Sequence, residues 1–289
     1  MRRSRRVGVM AALLLPALFA LAGCHAPHVA PAVSPKVAPP VVKEAGILRA
    51  GVDLDRPPFG GTDAGQQAGI DVDVASAIAG RLGLKVRLVD VKPSQVATAL
   101  ARGDVDIALS APFSADVFTR ASMAGTYLSD GPALFSRDAS GSAPATVAIS
   151  ALDDKTIGVE KGSEAYWLLV DELGSDGVTA YPSLADALTG LRSGEVQLVA
   201  GDALIGAYIA RDQPGVHYAG ALAPAHLLGV AVAADNTRLS DAVRTTLDRL
   251  IADGALDAIR TAWVGSLPKL PLQSDETSAE PSDDTSAAP

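Results

Sequence analysis

The chain has 289 residues, 48% of them apolar but only 4% aromatic, so its core must be built mostly from Ala, Val and Leu, and its length suits two domains. Its 24 Lys and Arg against 33 Asp and Glu give a net charge of -9, which excludes a basic nucleic-acid-binding surface. One cysteine excludes a disulfide framework or a multi-cysteine metal site, the four histidines lack metal-ligand spacing, and no P-loop, GxGxxG or GxSxG motif occurs, so neither cofactor nor metal is expected.

Four arginines among the first six residues precede an apolar run, Val7 to Gly23, that is short for a bilayer span and broken by Pro16. That pattern predicts a signal peptide over residues 1–23. The run ends in Leu21-Ala22-Gly23-Cys24, which resembles a bacterial lipoprotein processing box, with Cys24 as the lipidated residue. Residues 24–44 carry Pro27, Pro31, Pro35, Pro39 and Pro40 and predict an extended tether with little capacity to pack, reaching up to about 3 Å per residue. At the other end, residues 269–289 predict a disordered tail, acidic from Gln273 onward.

Between these ends, strand-like and helix-like runs alternate, as in an α/β fold with a largely parallel sheet. Leu48–Val52 predicts a strand that ends in the turn Asp53 to Phe59. Ile70, Val74, Ile78 and Leu82 recur every four residues, one helical stripe stopped by Gly83. Lys85–Val91 predicts a second strand, Ser94 a helix cap, and Val105–Leu109 a third strand. Arg102-Gly-Asp104 is read as a helix end, with Gly103 at the C-cap, and not as an adhesion tripeptide.

Parts of this unit recur about a hundred residues later. Leu100–Ile107 lines up with Leu191–Leu198, Gly51-Val-Asp53 with Gly158-Val-Glu160, and Ser94 with Ser183. Two lobes of one plan follow, and ligands of such sheets sit beyond the carboxyl ends of the strands. The first lobe offers Asp53, Arg56 and Ser110 to Phe113 there, and the second Glu160, Ser163 and Asp202. Tyr166 and Trp167 are read as helix packing, and Trp263 as core.

With these residues in place, the chain resembles an extracellular solute-binding protein of the amino-acid-binding family 3 type, the receptor of an ABC importer. Leu48–Phe59, Gly69–Ala75, Gly103–Asp106, Ile157–Ser163 and Leu228–Ala231 carry the resemblance, with a helical end over Leu239–Val264. It implies a two-lobed type II periplasmic-binding-protein clamshell, each lobe a mostly parallel sheet flanked by helices. Residues 45–135 plus 226–268 would form the first lobe and 136–225 the second, with crossover strands near Leu134–Arg137 and His226–Val230.

By the same resemblance, Asp53 is a cleft carboxylate, Ser163 meets the ligand through hydroxyl and amide, and Asp202 holds an ammonium. The arginine that usually grips the ligand's carboxylate is absent. Its position reads as Val117 or Phe118, and the nearest arginine, Arg120, lies about a turn later. Arg56, where a tyrosine is usual, is the candidate replacement from the first turn.

The resulting expectation is a non-enzymatic monomer, held on the outer side of a bacterial membrane, in the periplasm or at the cell surface, by lipid on Cys24. It would take a small polar solute, an amino acid or a related amine, to a membrane permease, and would bind no nucleic acid. Signalling or scaffolding on the same fold is the alternative. An enzyme would need Asp53, Glu160 or Asp202 as acid or base, and the sequence supplies no nucleophile with an orienting partner.

Overall fold

The computed structural model describes residues 34–112, 121–137 and 146–272. Cys24, Phe113, Arg120 and the acidic tail lie outside the described residues. Among the described residues no helix is long and apolar enough to cross a membrane.

Strand β1 (Ile47–Val52) is buried from Leu48 onward, as befits a strand covered on both faces. A short hairpin of β2 (Gly61–Asp63) and β3 (Gln66–Ala68) follows, and then helix α1 (Ile70–Leu82). The expected stripe is the buried face of α1: Ile70, Val74, Ile78 and Leu82 are each 2% exposed or less, and Gly83 ends the helix in the left-handed conformation. Next come β4 (Lys85–Asp90), α2 (Val96–Arg102) and β5 (Ile107–Pro112). Gly103 closes α2 with φ 65°, so the Arg-Gly-Asp triplet is a helix C-cap, as read from the sequence. Ser94 is not a cap. It sits inside a 3₁₀ turn, Pro93–Gln95, and Gln95 takes the capping position of α2.

The chain continues through β6 (Ala121–Asp130) and β7 (Pro132–Ser136) to β8 (Ile157–Glu160), α3 (Glu164–Leu173), β9 (Val178–Tyr181), α4 (Leu184–Ser193) and β10 (Leu198–Asp202). It closes with α5 (Ala203–Ala210), β11 (His217–Ala221), β12 (His226–Ala233), α6 (Thr237–Ala252) and α7 (Ala255–Val264). The two main sheets have orders β4-β1-β5-β12-β6 and β11-β7-β10-β8-β9. In each, four strands run one way and one runs against them, β12 in the first and β7 in the second. The repeat is thus topological: α2–Gly103–β5 matches α4–Gly194–β10, and Ser183 caps α4 by accepting the Asp186 amide at 3.1 Å.

The first passage between lobes lies at Asp130-Gly131-Pro132, a few residues before the expected Leu134–Arg137, because β7 already belongs to the second sheet. The return passes through Pro224 and Ala225 into β12, which belongs to the first sheet. The passages touch: a Cβ on Gly131 would stand 3.0 Å from the Ala225 Cα. The Ala225 amide donates to Pro271 O at 2.7 Å, which draws the end of the described chain across the same place.

The last part of the proline-rich segment packs, contrary to its expected lack of packing capacity. Val42 is fully buried, Val37 and Val41 lie on the core, and Asn236 Nδ2 donates to Val41 O at 2.8 Å. Beneath it, the buried Arg49–Asp106 pair (2.8 Å) is tied to the same strap, since Asp106 also accepts the Lys43 amide.

Candidate functional site

The carboxyl ends of β1 and β10 bring one predicted pair together across the lobes. Arg56, in the turn after β1, reaches Asp202 at the end of β10, with Nη2 3.4 Å from Oδ2 and both side chains about a third exposed. Arg56 is also braced by Phe59, its guanidinium carbon 4.7 Å from the ring centroid.

Asp202 precedes α5 at the N-cap position but makes no capping hydrogen bond. The amide it would cap, that of Leu204, donates instead to Asp130 Oδ1 at 3.0 Å. Asp130 also accepts the Gly131 amide at 2.9 Å. Burial and the nearby negative charge of Asp202 push the Asp130 carboxyl up to about 7, against the pull of those two amides and Arg56. Burial raises Asp202 as well, and Arg56 opposes the rise.

On the first-lobe wall, Ser110 stands in β5 with φ 46°, a left-handed conformation that costs a non-glycine residue on the order of 1–3 kcal/mol. Its amide donates to Tyr127 Oη at 2.8 Å, and its Oγ lies 3.3 Å from the same atom. Tyr127 in turn donates to Asp71 Oδ1 at 2.6 Å. Asp71 is 1% exposed, and among the described residues its Oδ2 has no partner. Burial raises its carboxyl to about 6, although Tyr127, Ser110 and Arg56 favour the charged form. Burial and the Asp71 charge hold the Tyr127 hydroxyl well above its ordinary pKa, so it keeps its proton.

The remaining predicted residues are committed elsewhere. Asp53 accepts from Lys92 Nζ at 2.7 Å, and Lys92 also binds Asp55 at 2.7 Å and Asp90 at 3.3 Å. This ammonium fills the one grouping of acids close enough to hold a cation among the described residues. Asp53 and Asp55 together hold Lys92 above its ordinary pKa. Ser163 caps α3, its Oγ accepting the Tyr166 amide at 3.1 Å, while Glu160 accepts the Leu184 amide at 3.1 Å. Beside them Glu164 meets His226 Nε2 at 2.9 Å. Tyr166 packs on the core as expected, but Trp167 does not: it is 62% exposed, and among the described residues its one ring contact is edge-on to Tyr166. Trp263 packs on the core as expected, and its Nε1 donates to Asp73 at 2.8 Å.

Sequence reasoning missed Asp71, Tyr127, Asp130 and Lys92. Asp71 alone carried a signal, as an acid flanking the apolar stripe of α1. A cavity of about 300 Å³ between β6 and the end of the described chain, walled by Leu128, Leu204, Leu256 and Leu270, contains none of the predicted site residues.

Comparison with known proteins agrees with this architecture. The model of the bacterial extracellular solute-binding proteins, family 3, matches residues 48–266. No curated protein sequence matches significantly. Among solved structures, an ancestral cationic amino acid solute-binding protein is 23% identical, with 76% of this chain and 96% of that chain covered at a TM-score of 0.65. The L-cystine solute receptor of Neisseria gonorrhoeae, unliganded and open, is 21% identical over 76% and 93% of the two chains, at 0.66. A polar amino acid ABC uptake transporter substrate-binding protein from Streptococcus thermophilus is 20% identical over 76% and 86%, also at 0.66. These neighbours share the fold and are binding proteins. With the family model spanning both sheets and the strand orders duplicated between them, the chain belongs to the bacterial extracellular solute-binding proteins of family 3 and has their two-lobed type II fold.

Proposed function

We propose that the protein is a lipid-anchored extracytoplasmic receptor that binds an amino acid or a related amine between its lobes and delivers it to an ABC importer. The observation that carries this reading is the Arg56–Asp202 pair. Each member offers what one end of a zwitterion needs: a guanidinium for a carboxylate and a carboxylate for an ammonium. With Val117 and Phe118 at the usual arginine position, Arg56 is the clamp. The pair is loose, at 3.4 Å, and part-exposed, so a ligand can displace it at small cost. The ligands named for the structural neighbours, cationic amino acids, cystine and polar amino acids, support the same solute class. Cys24 at the end of the apolar leader supports the anchor, and the partner implied by the family is a membrane permease.

Thermal unfolding of the purified protein against amino acids, amines, short peptides and organic acids tests this. A ligand present at about 100 times its Kd adds about 2.7 kcal/mol, a shift of several degrees. Amino acids or amines are expected to produce it. A shift from organic acids alone, or from nothing, removes the proposal.

A further inference from the structure

The one proton of the Tyr127 hydroxyl has a fixed destination. Oη lies 2.6 Å from Asp71 Oδ1, the short separation of a hydrogen bond to a charged acceptor, and a carboxylate can only accept. Tyr127 Oη is then an acceptor for everything else around it. It receives the Ser110 amide at 2.8 Å, and at 3.3 Å it faces the Ser110 hydroxyl, where geometry alone leaves the donor open. With the tyrosine proton spent on Asp71, Ser110 must be that donor. A hydroxyl whose hydrogen points inward presents only lone pairs outward.

Among the described residues the charge that polarises this chain has no ion-pair partner. Asp71 is buried, and its Oδ2 has no partner among the described residues. The other charged groups acting on it are Arg56 and Asp53. Arg56 is engaged with Asp202 and Asp53 with Lys92, so neither binds it directly. A ligand carboxylate placed against Ser110 would meet lone pairs with a buried negative charge behind them, whereas an N–H group would meet an acceptor and a favourable field.

Resting on the receptor reading above, we infer that Asp71, acting through Tyr127, makes Ser110 an acceptor on the first-lobe wall of the cleft, so that the cleft selects a net-cationic amine that brings a second N–H donor there. Asp71 and Tyr127 are positioning residues in this scheme, and Ser110 is the contact. One N–H-bearing group goes to Asp202 and another to Ser110. A carboxylate, where the ligand has one, goes to Arg56.

Calorimetric titration at pH 8 with four probes, L-arginine, agmatine, L-glutamine and L-glutamate, tests the inference. Arginine and agmatine are expected to bind at least about ten-fold tighter than glutamine, with glutamate weakest. Tyr127→Phe, which cuts the chain, and Asp71→Asn, which removes the charge, should each pull the arginine-to-glutamine ratio toward one. Either variant suffices if the other fails to fold. A purely structural role would weaken all ligands alike, so a ratio unchanged in the variants overturns the inference. Glutamine binding as tightly as arginine overturns it too, while leaving the receptor reading intact. If none of the four probes binds, the inference falls, and the receptor reading is decided by the wider thermal screen.

Discussion

Asp130 takes the helix-capping bond that Asp202 is placed to make. The Leu204 amide, second in α5, donates to Asp130 Oδ1 from the strand that leads out of the first lobe, so the Asp202 carboxylate is left to face Arg56. An N-cap aspartate ordinarily turns back on its own helix. Here a neighbour's carboxylate does so in its place.

Asp130→Ala is therefore expected to weaken binding of an amino-acid ligand, because Asp202 can rotate back onto the vacant amide. Asp130→Asn keeps an acceptor at Oδ1 and should bind like the parent. Calorimetry on the two variants separates these outcomes, and equal losses in both would point to lost charge and not to a lost cap.

Acidity should stabilise the unliganded protein through Asp71 and Asp130. Both carboxyls are raised above 3.8, to about 6 and about 7, so the folded chain holds protons that the unfolded chain has released. That stability is complete below pH 4 and is lost as the pH rises through the folded values. For Asp71 the difference amounts to about 3 kcal/mol. Asp71→Asn should consequently be the more stable protein at pH 8 and equal to the parent near pH 4. Urea unfolding at pH 5 and pH 8 checks this, and parallel pH profiles for the two proteins would refute it.

Removing Arg56 should divide ligands by chemistry. Its ion pair is part-exposed, so Arg56→Ala is expected to change stability by about 1 kcal/mol or less. Amino acids should lose binding by about 100-fold, the worth of a charge-assisted contact. Agmatine, which has no carboxylate, should bind at least as well as before. Unchanged affinity for amino acids would show that the guanidinium is a solvated loop charge.

The Arg49–Asp106 pair predicts the largest loss of stability. Both side chains are buried, at 9% and 5% exposure, and Asp106 also receives the Lys43 and Arg49 amides. Asp106→Ala leaves a buried guanidinium facing only the carbonyls of Gly103 and Asp104, which costs about 3–5 kcal/mol. A denaturant midpoint within experimental error of the parent would contradict this.

What the sequence disclosed was governed by local rules. The α1 stripe needed only the helical period, the ends of α1 and α2 needed only glycine at a left-handed position, and the duplicated plan showed as recurring strand ends. The hairpin β2–β3 was invisible because its strands are three residues long and exposed, without alternation. Lys92 was missed because its importance lies in Asp53 and Asp55, 39 and 37 residues away in sequence. Asp71 stood beside the apolar stripe of α1, but its partner Tyr127 is 56 residues away, and a contact of that span leaves no local trace. Trp167 violates the rule that a large aromatic on a helix is covered, and sequence alone could not show that its face of α3 is open.

The reversed strands give the molecule a mechanical property. Chain leaving the first sheet enters the second directly as β7, and chain returning enters the first directly as β12, with no helix between. β7 is bonded along its length to β10, which ends in Asp202, and β12 is bonded to β5 on either side of a bulge at Leu109 and Ser110. The two passages between the lobes are thus continuous with strands that pair with those carrying Asp202 and Ser110. A displacement of β7 therefore reaches Asp202 through an unbroken ladder of backbone bonds, whereas one of β12 meets the bulge before Ser110, whose amide is held by the Tyr127 hydroxyl.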